Sequence, residues 1–220
     1  MTAIALAALA ALLICSGASA QGAAPERTVR ENVITSARDP SVRIELPTQV
    51  RYVGADRWVL FDVADCELHV FVEADAQKKV QRLYWIQFEG YVPSRPELRH
   101  DYSRDRTLRI FDRDFFVRAR FGASGEPARP GSDTEHVRRL LQAHGYSLPP
   151  DTINVRFVDL LDAQARKELM IIYMEDLSPR GLTAADLMPG GKSEQQWPAI
   201  EQGLIERAQK NIELQATATR

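Results

Sequence analysis

The stretch Cys66–Tyr91, CELHVFVEADAQKKVQRLYWIQFEGY, decides how this chain folds. Two runs rich in Val, Phe, Leu, Tyr and Trp flank the polar segment Asp75–Lys79, the pattern of a long antiparallel β-hairpin. Successive side chains of a strand point to opposite faces. In the first strand Leu68, Val70 and Val72 share one face, and Glu67, His69, Phe71 and Glu73 share the other. In the second, Tyr84, Ile86 and Phe88 oppose Leu83, Trp85, Gln87 and Glu89. Matching the more apolar sets to each other gives an apolar face and a mixed face, the latter carrying Glu67, His69, Glu73, Trp85, Gln87 and Glu89. A lone hairpin is marginal in water, so the apolar face needs a cover. The mixed face is either a solvated exterior or the lining of a cleft.

Working outward, the upstream segments Ser41–Leu46, Gln49–Val53 and Arg57–Val63 read as short strands, with a turn at Gly54–Asp56. Downstream, residues 92–114 hold two prolines and dense charge without a period, a connection of the length used for lids and binding loops. Phe115–Phe121 is a strand, and Ser132 followed by Glu135 opens a helix that stops at Gly145. His144 fits a satisfied histidine at that helix end. Thr152–Leu160 and Glu168–Asp176 form a second hairpin whose second strand is apolar on both faces and therefore central. Thr183 caps a short turn at Ala184–Leu187, and Gly191-Lys192-Ser193 lacks the first glycine of a phosphate loop. From Pro198 to Leu214 a stripe of Ile200, Leu204, Ile205, Ala208 and Ile212 predicts a helix lying on the sheet. Strands in runs with few helices imply an α+β fold. The expectation is a curved, mainly antiparallel sheet of about six to seven strands, with one internal helix and a C-terminal helix packed across one face.

Residues 1–20 carry an apolar stretch and then Ala18-Ser19-Ala20, which reads as a signal peptide cut near Ala20. No basic residue precedes the apolar run. A lipidated Cys15 is the competing reading, although bulky Ile14 stands before it. The stretch is too short to span a bilayer, so no transmembrane segment is expected in the mature chain. Residues 21–40 read as a flexible leader with a short helix near 27–35, residues 41–214 as a single domain, and 215–220 as a disordered tail. Periplasmic or secreted localisation follows. Cleavage near Ala20 leaves Cys66 as the single thiol, without an internal disulfide, and burial is its default.

Composition bounds the function. The 220 residues are 45% hydrophobic and 26% charged, which is globular composition. A net charge of −2 offers no general attraction to nucleic acid, so no nucleic-acid partner is expected. The 28 basic residues include Lys at only five positions, and an arginine bias spread this widely reads as genome composition. No Gly-x-Ser-x-Gly elbow, dinucleotide fingerprint or metal-ligand spacing occurs, so neither a cofactor nor a metal is expected.

Strand parity singles out one constellation. Arg118, Arg120 and Arg156 lie on the polar faces of strands expected to join the main sheet. With Trp85 and Tyr173 as apolar walls they would line a cleft for a small, anionic ligand. Exposed cross-strand ion pairs account for the same residues without a ligand. The expected role is non-catalytic binding of a small molecule or envelope component by an exported bacterial protein. The alternatives are a small secreted hydrolase with His69 or His100 as base, and a protein-interaction module using the 92–114 loop or a sheet edge.

Overall fold

The computed structural model describes residues 23–217. The Cys66–Tyr91 stretch forms β5 (Ala64–Ala74) and β6 (Val80–Tyr91), the longest antiparallel pair in the molecule. Asp75 builds their turn, because its Oδ1 accepts from the backbone N–H groups of Gln77 and Lys79. β4 (Arg51–Leu60) pairs on one side of this hairpin. On the other side follow β10 (Lys167–Asp176), β9 (Asp151–Leu160), β8 (Arg113–Ala123) and β7 (Arg106–Ile110). These seven strands form one sheet, antiparallel throughout. A second sheet of four strands holds β1 (Thr28–Arg30), β2 (Val33–Ala37), β3 (Ser41–Glu45) and β11 (Glu213–Ala216). The helices are α1 (Asp133–Ala143), α2 (Ala184–Leu187) and α3 (Trp197–Asn211). The protein is thus α+β, and no described helix is long and apolar enough to cross a membrane.

The large sheet is covered on both faces. On the first, Phe71, Tyr84, Ile86, Phe157 and Ile171 join Leu204 and Ile205 of α3 and Ile34 and Ile44 of the small sheet in one apolar cluster. On the second, Leu68, Val70, Trp85 and Val158 cluster with Val137 and Leu141 of α1. β10 feeds both clusters, Leu169, Ile171 and Tyr173 into the first and Met170, Ile172 and Met174 into the second, as its two-sided apolar pattern requires.

The hairpin register differs from the apolar-to-apolar matching. Leu68 stands opposite Gln87, Val70 opposite Trp85 and Val72 opposite Leu83, while Phe71 stands opposite Tyr84. Glu67, His69 and Glu73 therefore lie on the face opposite Trp85, Gln87 and Glu89. The turn and a bulge at Glu73/Ala74 set this register, and a slip of one residue exchanges the faces.

Other departures have similar local causes. Residues 28–37, expected as leader with a helical turn, form β1 and β2, because Ile34 is drawn fully into the core. The expected turn at Gly54–Asp56 is a bulge within a continuous β4. β7 arises inside the charge-dense connection, with Leu108 and Ile110 packed on the first core, Arg106 paired with Glu201 of α3 on the same side, and Arg109 on the opposite face. The hairpins β4–β5 and β7–β8 both turn on Phe-Asp pairs, Phe61-Asp62 and Phe111-Asp112, with positive φ at all four residues. α1 starts where the capping signal places it, with Ser132 accepting from the Glu135 N–H. The Glu135 carboxylate, however, accepts from Gly131 and not from Ser132. α2 carries the full capping box of Thr183 and Asp186. α3 ends at Asn211, and residues 213–216 extend the small sheet, so the expected tail begins as β11. The signal-peptide cleavage and Cys15 readings fall outside the described residues.

Leu204 is fully buried where α3 meets the first core. Leu204→Ala should lower unfolding free energy by about 2–5 kcal/mol, measured by chemical denaturation with the slope unchanged.

Candidate functional site

A row of polar residues crosses the second face of the large sheet near one end. Cys66 on β5 stands opposite Glu89 on β6, and Glu89 stands opposite Glu168 on β10. Asp133, the first residue of α1, and His100, from the connection between β6 and β7, approach the same row. Ligating atoms of Cys66, Glu89 and Asp133 lie within 4.8 Å of one another, as do those of Glu89, His100 and Glu168. Glu89 belongs to both groups.

Burial governs the charge state here. It pushes the Glu168 carboxyl up to about 8, with the neighbouring Glu89 charge adding to the shift. Glu89 is raised by burial and then by Asp133, and Asp133 is itself raised by burial. Burial pushes the Cys66 thiol up and holds His100 down at about 4. The His100 imidazole is therefore neutral at physiological pH.

A hydrogen-bond ladder along β6 supports the row. Trp85 Nε1 donates to Gln87 Oε1 at 2.8 Å, and Gln87 Nε2 donates to Glu89 Oε2 at 3.0 Å. The three residues lie two apart on one strand, so they share a face by parity. Glu168 Oε2 accepts from the Tyr102 hydroxyl at 2.7 Å. The Arg156 guanidinium lies 4.9 Å from the Tyr102 ring centre, and both Arg156 and Arg118 pair with the buried Asp105. This buttress ties the 92–105 connection onto the sheet.

On the first face, Glu67 is the hub of a different network. It accepts from the backbone N–H groups of Glu26 and Arg27, each at 2.8 Å, and from Arg27 Nη1 at 3.1 Å. His69 Nε2 is 2.9 Å from Glu67 Oε1, and the Tyr52 hydroxyl is 3.2 Å from His69 Nδ1. Burial alone would raise the Glu67 carboxyl. The bonds from His69, Glu26 and Arg27 outweigh it and hold the group at about 2.

Between the two networks, at the ends of β4, β5 and β6, an open cleft of about 810 Å³ is lined by Trp58, Phe88, Glu89 and Tyr91. The cations on its walls are paired. Arg27 meets Glu67, Arg38 meets Glu26, Arg57 meets Glu26 and Asp65, and Lys167 meets Asp39.

The residues singled out from sequence are dispersed. Trp85, Arg118 and Arg156 do share the second face, but Trp85 supports Gln87 and the two arginines neutralise Asp105. Arg120 is exposed on β8. Tyr173 is fully buried on the first face, where its hydroxyl donates to Glu175 Oε1, so it cannot wall a cleft with Trp85. His69 and His100 each meet a glutamate, as an oriented base would, yet their side chains are 1% and 6% exposed. The convergence of Cys66, Glu89, His100, Asp133 and Glu168 has no short-range motif, because five separate segments supply it. One signal was legible: Glu168 directly precedes the apolar run Leu169–Met174 of a central strand, and a buried acid needs a partner. No protein-family model, curated protein or solved structure matches this chain.

Two outcomes follow. Asp105→Asn should cost about 1.5–3 kcal/mol and raise protease cleavage within residues 92–105, because two guanidinium groups lose their shared carboxylate. Glu67, lowered from 4.5 to about 2 by folding, stabilises the fold above about pH 4.5, and that contribution is lost as pH falls toward 2. The shift corresponds to about 3 kcal/mol at neutral pH. Denaturation curves of wild type and Glu67→Gln across this window should converge at the acid end.

Proposed function

We propose that this chain is an exported binding protein that takes a small polar molecule in the cleft at the ends of β4, β5 and β6. The observation that carries the reading is the cleft itself. Its volume of about 810 Å³ falls within the range of ligand sites, and it combines aromatic walls with converging polar groups. The wall charges favour a ligand that offers both donors and acceptors. A purely anionic ligand would have to displace carboxylates that already hold Arg27, Arg38, Arg57 and Lys167. Arg118 of β8 and Arg156 of β9 give it no alternative, since both are committed to Asp105.

The hydrolase reading with His69 as base is weaker on geometry. A base must reach the proton that it takes. Both nitrogens of His69 are engaged by Tyr52 and Glu67, and its side chain is sealed from solvent. Export rests on the amino-terminal sequence pattern alone.

Native mass spectrometry of the protein purified from its own envelope fraction tests both parts. A mature chain beginning at Gln21, with an organic mass that leaves on denaturation and is absent from a Trp58→Ala, Tyr91→Ala double variant, is the expected result. A bare chain that also gains no mass when incubated with envelope extract would overturn the binding reading.

A further inference from the structure

We propose that Glu89, His100 and Glu168 form a binding site for one divalent transition-metal ion, with zinc(II) the best match. The site shares Glu89 with the cleft but requires no organic ligand there. A carboxylate oxygen from each glutamate and an imidazole nitrogen of His100 lie within 4.8 Å of one another. Glu89 and Glu168 are direct cross-strand partners. Like charges placed so oppose strand pairing unless a counter-charge or a proton intervenes. Among the described residues, neither glutamate forms an ion pair with Lys or Arg, and His100 is the one basic group in contact, its Nδ1 3.0 Å from Glu168 Oε2.

Orphaned polar atoms point to a missing partner independently of the acids. His100 Nε2 is buried with no hydrogen-bond partner, on a side chain only 6% exposed whose other ring nitrogen, Nδ1, meets Glu168. Asp133 Oδ1, beside Glu89, is likewise buried and unpartnered. Buried polar atoms are nearly always satisfied, so two at one cluster call for a ligand.

The surroundings are organised as they are around metal ligands. Gln87, itself held by Trp85, fixes Glu89 through one oxygen, and Tyr102 fixes Glu168 through one oxygen. Such outer hydrogen bonds orient first ligands and tune their basicity. Two carboxylates and a divalent ion sum to neutrality, which relieves the cost of buried like charges. Calcium and magnesium take all-oxygen sets, whereas a neutral imidazole with two carboxylates suits zinc and its first-row neighbours. Glu89 also lines the cleft, which provides an entry path.

The test is zinc(II) binding to the chelator-stripped full chain, followed by calorimetry and by metal analysis after gel filtration. One retained equivalent is expected, with a rise in Tm. His100→Gln and Glu168→Gln should each weaken binding at least about tenfold, whereas Cys66→Ser should change it less than about twofold. No retained zinc on a folded wild type would overturn the site and leave the glutamates as protonated pairs. So would wild-type affinity in a folded His100→Gln. Zinc K-edge absorption of the wild-type complex needs no variant. Oxygen and nitrogen scatterers with one imidazole support the assignment, and a sulfur scatterer overturns it in favour of Cys66, Glu89 and Asp133.

Discussion

The register between β5 and β6 is the constraint on which the rest of the molecule depends. Leu68 opposite Gln87 and Phe71 opposite Tyr84 is one of two pairings that a period-two pattern allows. The observed pairing makes both faces of the hairpin largely apolar, so both must be covered. α3 and the small sheet cover one, and α1 with the 92–105 connection covers the other. The alternative would have concentrated Glu67, His69, Trp85 and Glu89 on a single face and left the other purely hydrophobic.

This double cover explains where the chemistry sits. A polar residue on either face has to be satisfied inside the protein, since neither face is open water. Glu67 is satisfied in full by two backbone N–H groups, a guanidinium and an imidazole, and so it stays ionised. Glu89, Glu168 and Asp133 on the opposite face receive fewer donors and lie near one another, so burial drives their carboxyls upward. The same residue type is thus a stable anion on one side of the sheet and a poorly neutralised acid on the other. Donor count and depth together separate the two cases.

Arginine provides the second structural theme. Arg27, Arg118, Arg156 and Arg207 each hold a buried acid of a neighbouring element. A planar guanidinium suits such work because it forms paired hydrogen bonds to a carboxylate with little further ordering. The arginines therefore act as internal fasteners between segments, and a surplus of Arg over Lys along the sequence gives no sign of which acids they will meet.

Much of the fold was legible from residue pattern alone. Alternating runs located the strands of both hairpins, the two-sided apolar run Leu169–Met174 marked β10 as central, and the caps at Ser132 and Thr183 placed α1 and α2. These features depend on neighbours within a few positions, where propensity and capping act. The sequence by itself determined the fold class, the order of the main strands and helices and the set of residues available to the core. Tertiary structure alone decided which faces of β5 and β6 coincide, that residues 28–37 and 213–216 build a second sheet, and that Cys66, Glu89, His100, Asp133 and Glu168 meet. Those outcomes rest on register and on contacts between segments far apart in the chain, and a pattern with a period of two or 3.6 residues carries no record of either.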